Sequence, residues 1–453
     1  MTRKRPITAK THAGSGVIAR AALASILLAS ALLLGSCGPA PSGGPVSSAS
    51  DSDLALPATI GKPVQASLLL SDVDAVSAES FESAAADFSV ELFKRARTPE
   101  SNSLVSPLSV ALALAMAANG AEGETLAEME QALGGITLDD LNEACASIVK
   151  HLPQEDNLHM LIADSVWLKD TESLTINDEY LSSLQGVFGA EAHKSAFDEG
   201  TVSEINDWVS HNTDGMITRL IDRIDPFALL FLINAVTFEA EWQTPYNNAD
   251  IVPGAFTNMR GETRLVDYLC SDEARYLEDD EAIGVVKPYA GGRYGFVGIL
   301  PKEGTSLESY IDSLTGEELR ALLTSGMEAK VKTSIPRFTS EYDTELSDAL
   351  TAIGMRKAFD AQSADFGRMG TYAPSEGTHV SLYVSAVLHK TFIEVSEWGT
   401  RAAAATSVQV TAGAAAGEPE SKAVSLNQPF LYAIIDIESG LPLFIGTVND
   451  VRA

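Results

Sequence analysis

Cysteine is scarce in this chain of 453 residues, which has three, at positions 37, 145 and 270. Small secreted proteins depend on disulfides, but a chain of this length has enough residues for a sizeable core and does not need them. Aromatic residues are also few, at 7%, although 45% of the residues are hydrophobic and 21% are charged. This composition excludes a disordered or fibrous chain and is typical of a globular protein. The length is compatible with three average domains or with one large α/β unit.

Basic residues are outnumbered two to one. The chain has 31 Lys and Arg against 62 Asp and Glu, a net charge of −31. Five of the basic residues lie before position 37, where no acidic residue occurs, so the rest of the chain has 26 basic residues and a net charge of −36. A surface of this sign repels phosphate and sulfate groups. Neither nucleic acid nor a heparin-type polyanion is therefore expected as a partner.

The motifs of common enzyme classes are absent. The sequence has no Gly-x-Ser-x-Gly, His-Glu-x-x-His or Cys-x-x-Cys, and no glycine-rich phosphate loop ending in Lys-Ser or Lys-Thr. The seven histidines do not have metal-ligand spacing. The sequence therefore predicts no catalytic residue, no cofactor and no metal site, and we expect a protein that is not an enzyme.

The N-terminus carries a targeting signal. Basic residues lead into an apolar run between Arg20 and Gly35, which is short for a membrane-spanning helix. The run ends in Leu34-Gly35-Ser36-Cys37, which resembles the processing box of bacterial lipoproteins. The resemblance implies that residues 1–36 are a signal peptide and that Cys37 is lipidated, so that the protein is exported and held at a bacterial membrane by its acyl chains. An ordinary secretion signal and an uncleaved anchor are the alternatives.

Residues 37–77 are predicted to be the lipidated cysteine and a flexible tether. This stretch is rich in Pro, Gly, Ser and Ala and has no sustained apolar period. Forty such residues give a reach on the order of 35 Å. The folded domain is expected to span residues 78–453, in which Cys145 and Cys270 either pair or stay as free thiols.

The domain mixes helix and strand patterns. Ser106 and Pro107 start a helix with a serine N-cap and a proline in the first position, and Asn119-Gly120 ends it. Another helix is predicted at 345–353. Apolar strand patterns occur at 158–168, 229–238, 295–300, 382–395, 430–437 and 443–448. The sequence therefore predicts one α+β domain of roughly 375 residues on a large sheet.

The segment from Glu397 to Gln428 is long for a connection inside a domain, which usually indicates function. Its first part consists of small uncharged residues, except for Arg401. At a period of two, Thr400, Ala402, Ala404 and Thr406 share one face and could enter a packed sheet. Composition alone also allows a flexible surface loop.

A family resemblance decides between these interpretations. The sequence Glu397-x-Gly399-Thr400-x-Ala402-Ala403-Ala404-Ala405-Thr406 resembles the reactive-loop hinge of inhibitory serpins. Further segments resemble serpin motifs in the same order along the chain. They are Asn102–Ser109, Leu232–Phe238 with Trp242, Ile335–Phe338, Ala364–Phe366, His389-Lys390, Asn427–Phe430 and Pro442–Gly446. The resemblance covers about Ala78 to Val451.

The resemblance implies a serpin fold, with a large central mixed sheet that can accept the reactive loop as an extra strand, smaller sheets and about nine helices. It also implies a monomeric suicide-substrate inhibitor that forms a covalent acyl complex with a target serine protease. Ser106, Ser109, Asn234 and His389 match the polar cluster beneath the point where the sheet opens. Trp242 matches the aromatic residue near the entry of the loop. Ordinary core packing explains each of these residues as well.

The position of the reactive bond has two candidates within a loop of about residues 397–426. Counting forward from the hinge gives Gly413-Ala414, which we prefer, whereas counting back from Pro429 gives Glu418-Pro419. Small residues from 412 to 416 suggest an elastase-like or subtilisin-like protease. No Lys or Arg lies between Arg401 and Lys422, so a trypsin-like target is not expected.

Two other interpretations remain open on sequence alone. One is a non-inhibitory serpin-fold binding protein, which should lack the small hinge residues found here. The other is a lipid-anchored solute-binding protein or hydrolase, for which no nucleophile motif is visible.

Overall fold

The computed structural model describes residues 70, 73, 75–155, 157–225, 228–375, 378–400 and 421–451. These residues belong to one compact unit, and they contain nine α-helices and nineteen β-strands. The expected α+β architecture is confirmed.

The helices of the described residues alternate with groups of strands. They are α1 (Ala75–Ala96), α2 (Pro107–Gly120), α3 (Gly123–Ala132), α4 (Leu138–Lys150), α5 (Asp178–Ser183), α6 (Glu199–Asn212), α7 (Leu307–Ser313), α8 (Gly316–Thr324) and α9 (Ser347–Ile353).

The strands form three sheets. They are β1 (Ser103–Val105), β2 (Gln154–Glu155), β3 (Leu158–Lys169), β4 (Leu174–Ile176), β5 (Glu191–Ser195), β6 (Leu230–Glu241), β7 (Ile251–Thr257), β8 (Thr263–Glu278), β9 (Ala282–Pro288), β10 (Tyr294–Pro301), β11 (Met327–Pro336), β12 (Phe338–Glu345), β13 (Gly370–Ser375), β14 (Thr378–Val380), β15 (Val387–Val395), β16 (Gly399–Thr400), β17 (Lys422–Ser425), β18 (Phe430–Asp436) and β19 (Pro442–Val448).

The main sheet has seven strands in the order β12-β15-β16-β6-β3-β2, with β5 paired to β3. A nine-stranded sheet runs β1-β19-β18-β10-β9-β8-β11-β17, with β7 paired to β8, and a three-stranded sheet runs β14-β13-β4. The largest core lies between the sheets and the helices. A second apolar cluster packs α6 on the other face of the main sheet, through residues such as Trp167, Ile205 and Phe231.

Helix α2 is the buried helix that the sequence predicts. The Ser106 hydroxyl accepts a hydrogen bond from the backbone N–H of Ser109, and Pro107 takes the first helical position. Such a cap satisfies one of the N–H groups left free at a helix start. Because α2 is apolar nearly all round, it packs against β3, β6 and β19 at once. Its N-cap Ser106 and its own Ser109 lie beneath the main sheet.

One predicted strand is too long. The pattern at 382–395 predicts a continuous strand, but β15 starts at Val387. Leu382 and Val384 are buried, so the apolar alternation is real. The N–H of Val384, however, donates to the carbonyl of Ala358, which lies in the short 3₁₀ helix Lys357–Phe359 and not in a strand. The segment contacts β6 only at its end, where the N–H of Ser385 donates to the carbonyl of Leu230, and regular strand pairing starts at Val387.

Candidate functional site

The joint between β6 and β15 is closed at one end and parted at the other. The two strands pair in parallel from Val387 opposite Leu232 to Phe392 opposite Thr237. Beyond Phe392 the chain completes β15, turns at residues 396–398 and returns as β16 between the two strands. The two residues of β16 therefore begin a strand that is antiparallel to both neighbours, at the parted end of the joint.

Contacts with the core hold Thr400 between β6 and β15. The residue is fully buried, and its hydroxyl lies 2.5 Å from the hydroxyl of Tyr289. Tyr289 stacks on Trp242, with ring centroids 4.6 Å apart and ring planes 6° from parallel. Burial raises the pKa of Tyr289 far above its usual range, so the hydroxyl keeps its proton. The Thr400 side chain of the hinge pattern therefore already occupies a pocket of the core.

Gly399 is required by close approach of two backbones. A Cβ atom at this position would lie 1.9 Å from the carbonyl oxygen of Ala240, which no side chain tolerates. The glycine of the hinge pattern thus allows β16 to pair with β6.

Trp242 follows β6 and holds the turn that leads into β16. Its indole N–H donates to the carbonyl of Ser396 at 2.8 Å, and its backbone N–H donates to the carbonyl of Trp398 at 2.9 Å. The N–H of Tyr246 donates to the carbonyl of Glu397 at 3.0 Å. Trp242 therefore lies at the base of the reactive-loop segment, and its role in loop entry stays a prediction.

An ion pair ties the same turn to the neighbouring strand. The carboxylate of Glu397 lies 2.7 Å from the guanidinium of Arg337, which precedes β12. Both side chains are half-buried, so the pair is shielded from water more than a surface pair.

Beneath this region lies a buried ion pair that sequence reasoning missed. The Lys287 ammonium is 2.8 Å from the carboxylate of Glu273 and 4.3 Å from the centre of the Tyr246 ring. Burial lowers the pKa of Lys287, and the charge of Glu273 opposes that effect. No motif signals the pair, because Glu273 and Lys287 meet only when β8 folds onto β9.

The four predicted polar residues meet at the closed end of the joint. Ser106, Ser109, Asn234 and His389 are all fully buried, and Asn234 lies opposite His389 in the pairing of β6 with β15. The Nδ1–H of His389 donates to Oδ1 of Asn234. The Ser109 hydroxyl donates to the same oxygen at 2.6 Å.

His389 uses both ring nitrogens in this cluster. Its Nε2 accepts from the backbone N–H of Ser106 at 3.1 Å, and the Ser106 hydroxyl donates to the carbonyl of Leu443 at 2.7 Å. Because one nitrogen donates and the other accepts, the ring is neutral. Burial lowers the pKa of His389 to about 3. The cluster therefore connects α2, β6, β15 and β19.

Two further side chains belong to the closed end, and sequence reasoning missed both. The Nδ2 of Asn234 donates to the carboxylate of Asp164 on β3. The hydroxyl of Thr391 on β15 donates to the carbonyl of Leu104 at 2.9 Å. An available signal for Asp164 was a carboxylate, the one acidic side chain, inside the mainly apolar predicted strand 158–168.

Several predicted residues lie outside the described part of the chain, namely Cys37, Ala402–Thr406, both candidate bonds Gly413-Ala414 and Glu418-Pro419, and most of the tether. The described residues at the end of the predicted tether belong to the fold, since Leu70 and Val73 are buried in the core and α1 already starts at Ala75. Cys145 and Cys270 are both free thiols, so the alternative in which they pair is wrong. No group of three or more His, Cys, Asp or Glu within the described residues is arranged to hold a metal ion. None of the helices described is long and apolar enough to span a membrane.

Comparison with known proteins agrees with this geometry. The family model for serpins, serine protease inhibitors, matches residues 83–451. An uncharacterized serpin-like protein of Thermococcus kodakarensis is 31% identical over 374 residues, which cover 81% of this chain and 84% of the relative. Leukocyte elastase inhibitor A of Mus musculus is 29% identical over 387 residues, or 82% and 99% of the two chains.

A solved structure gives the same fold. The native state of tengpin, a thermophilic serpin, has a TM-score of 0.78 at 42% identity and covers 86% of this chain and all of its own. The latent state of tengpin has a TM-score of 0.72. Serpins are generally protease inhibitors rather than enzymes. On the matched family model, the relatives and the shared fold, this chain belongs to the serpin family.

Proposed function

We propose that this serpin is a suicide-substrate inhibitor of serine proteases. The protease attacks the reactive loop with its catalytic serine, which breaks the scissile amide, releases the amine of the following segment and leaves an ester between protease and loop. The freed hinge then enters the main sheet between β6 and β15. The protease is drawn along with it and its active site is distorted before water hydrolyses the ester.

The parted joint is the observation that carries this proposal. β6 and β15 are parallel, so one antiparallel strand between them can form hydrogen bonds with both. β16 already has this direction and these partners. A longer inserted strand would continue it without a change of direction.

The register of β16 identifies the neighbours of an inserted loop. Each step of two residues along the loop moves two residues back along both β6 and β15. Since Thr400 pairs with Ala240 and with Val395, Thr406 would lie between Asn234 and His389. Insertion that far would replace the contact that closes the joint.

The same register favours one of the two candidate bonds. Glu241 pairs with Gly399, so Leu230, at the other end of β6, would pair with residue 410. The Gly413-Ala414 bond follows that point closely and leaves the acyl group at the far end of the sheet. A bond at Glu418-Pro419 would leave more uninserted loop residues between the sheet and the protease, and this longer segment would hold the protease less tightly.

The target is proposed to be elastase-like or subtilisin-like, because residues 412–416 are small and suit shallow specificity pockets. The similarity to a mouse leukocyte elastase inhibitor supports this choice.

The test is to mix the chain from Gly38 onward with pancreatic-type elastase and with subtilisin, followed by a denaturing gel and mass analysis of the released peptide. A covalent band near the summed masses, with a peptide that starts at Ala414, supports the proposal. Complete cleavage by both proteases without any such band would overturn it.

We further propose that the mature protein is anchored outside the cytoplasm through lipidated Cys37. The apolar run before the cysteine and the Leu-Gly-Ser-Cys sequence support this. The full-length chain should incorporate labelled palmitate and fractionate with membranes, whereas Cys37→Ala should do neither. Incorporation of label into Cys37→Ala would contradict the assignment.

A further inference from the structure

We propose that Asp164 is a fifth, titratable member of the sheet-opening cluster, and that proton binding at Asp164 and at His389 acts on the closed joint in opposite directions. Asp164 is then a positioning residue for the opening of the sheet. The inference about the joint stands on contacts of the native protein, whereas its consequence for loop insertion rests on the proposed function.

Asp164 sets the orientation of the central amide. It lies on β3 directly opposite Asn234 on β6, and the Nδ2 of Asn234 donates to its carboxylate. A carboxylate oxygen accepts a hydrogen bond, and so does the carbonyl oxygen of a protonated carboxyl group, so in either state the amide nitrogen faces β3 and the amide oxygen faces away from it. The oxygen is then in the position where the Nδ1–H of His389 and the hydroxyl of Ser109 donate to it.

The surroundings of Asp164 offer it no compensating charge. Helix α2 has no ionisable side chain, and His389 on β15 is neutral. The thiol of Cys145 on α4 is near enough for the charge of Asp164 to raise its pKa further, after the larger effect of burial. Glu191 and His193 of β5 pair with Ser165 and Trp167, which point to the other face of the sheet from Asp164. No cation forms an ion pair with Asp164 among the residues that the structure covers.

The two titratable groups of the cluster have opposite linkage to stability. Burial raises the pKa of Asp164 to about 7, although the hydrogen bond from Asn234 opposes this. The folded state therefore binds this proton more strongly than the unfolded state, in which the pKa of Asp164 is near 3.8. The contribution of Asp164 to the free energy of unfolding consequently increases as pH falls from about 7 to 4. His389 has its pKa lowered from 6.5 to about 3. Protonation of His389 favours the unfolded state. The contribution of His389 to the free energy of unfolding therefore decreases as pH falls below 6.5, a range that overlaps the titration of Asp164.

The consequence is a closed joint that is buffered against acid. Without Asp164, acidification would cost the native state the full penalty of His389. Without His389, the proton taken up by Asp164 on acidification would stabilise the joint with no opposing contribution from the cluster. If the joint opens when the loop inserts, as proposed above, removal of either group would also change how the rate of inhibition depends on pH.

The test is urea unfolding between pH 4.5 and 8 of the mature chain, with Cys37→Ser in every sample to prevent lipidation. The variants are Asp164→Asn and His389→Gln. Asp272→Asn is the matched control, because it removes one negative charge from an exposed residue of β8. Relative to the parent, the midpoint of Asp164→Asn should rise with increasing pH and that of His389→Gln should fall, while Asp272→Asn should follow the parent.

Parallel pH curves for Asp164→Asn and the parent would overturn the inference, and so would slopes of the same sign for the two cluster variants. If Asp164→Asn does not fold, infrared titration of the parent labelled with ¹³C-aspartate follows the carboxyl directly. A protonated carboxyl band that disappears near pH 7 and is missing from Asp164→Ser supports the inference. Its absence from the parent at pH 5.5 overturns it. No protease takes part in these measurements, so failure of the inhibition assay would overturn the proposed function alone.

Discussion

Two residues of the hinge segment, Gly399 and Thr400, have identities that follow from their immediate contacts. Gly399 leaves room for the carbonyl of Ala240, and Thr400 reaches the hydroxyl of Tyr289 in the core. The sequence predicted that Thr400 could lie on an inserting face, because small residues recur there at a period of two. It could not identify Tyr289, which is 111 residues away and has no feature that distinguishes it from other core tyrosines.

Thr400→Arg should turn the inhibitor into a cleaved substrate. The arginine would lose its hydration at a fully buried position without a partner, so the hinge would leave the joint and insertion would begin late. We expect the number of inhibitor molecules consumed per inactivated protease to rise by roughly ten-fold or more, the effect of about 1.4 kcal/mol on the competing rates. The control is Thr339→Arg, at an exposed position of β12. Unchanged stoichiometry for Thr400→Arg would contradict the role of the hinge.

At the scale of elements, the joint between β6 and β15 depends on one side chain. Asn234 receives hydrogen bonds from β15 and α2 and donates one to β3. Ser106, Ser109, Asn234 and His389 could be grouped from sequence because family motifs surround them. Asp164 could not, because its partner becomes visible only when β3 and β6 are placed in register.

Asn234→Leu should destabilise the native protein. The substitution leaves Asp164, Ser109 and His389 with unpaired buried groups, each of which costs about 1–3 kcal/mol. We expect the free energy of unfolding in urea to fall by roughly 2–5 kcal/mol. Asn248→Leu, at an exposed position before β7, controls for the added apolar side chain. A loss below about 0.5 kcal/mol for Asn234→Leu would show that the cluster does not stabilise the joint.

Strand prediction succeeded for the fully buried strands and failed for β8, which is mostly exposed. β6, β18 and β19 are buried along almost their whole length, so their apolar runs are visible in the sequence. β8 has sixteen residues but is exposed or half-buried at most of them. Its many polar residues leave no apolar strand pattern in the sequence, although its pairing with β7, β9 and β11 defines the second sheet.

At the scale of the whole molecule, the acid excess restricts the partners. With a net charge of −31, the protein should not be retained on immobilised heparin or DNA even at about 50 mM salt, where attraction to polyanions is strongest. Elution from heparin and DNA columns, with a basic protein as positive control, measures this retention. Retention that is lost with added salt would reveal a local basic site that the overall charge conceals.

The fold as a whole should become more stable when the loop is cut. An inserted segment of about ten residues would add backbone hydrogen bonds to both β6 and β15, each worth about 0.5–1.5 kcal/mol. Cleavage by a protease that does not become trapped should therefore raise Tm by about 10 °C or more. Thr400→Arg, cleaved in the same way, should gain less. A cleaved parent protein that melts at or below the temperature of the intact protein would exclude insertion.

The two-residue strand β16 bears on the rate at which the loop would insert. Forming a new strand from a free loop requires a costly nucleus, because several residues must be ordered before any hydrogen bond is gained. Here the nucleus exists before the protease arrives, since Thr400 already pairs with both neighbours. If the loop inserts as proposed, insertion would extend this existing pairing one residue at a time, like a zipper whose slider is already engaged, and would displace the contact between β6 and β15 step by step. Under the proposed mechanism, the outcome of each encounter with a protease would depend on whether strand insertion or hydrolysis of the ester is faster.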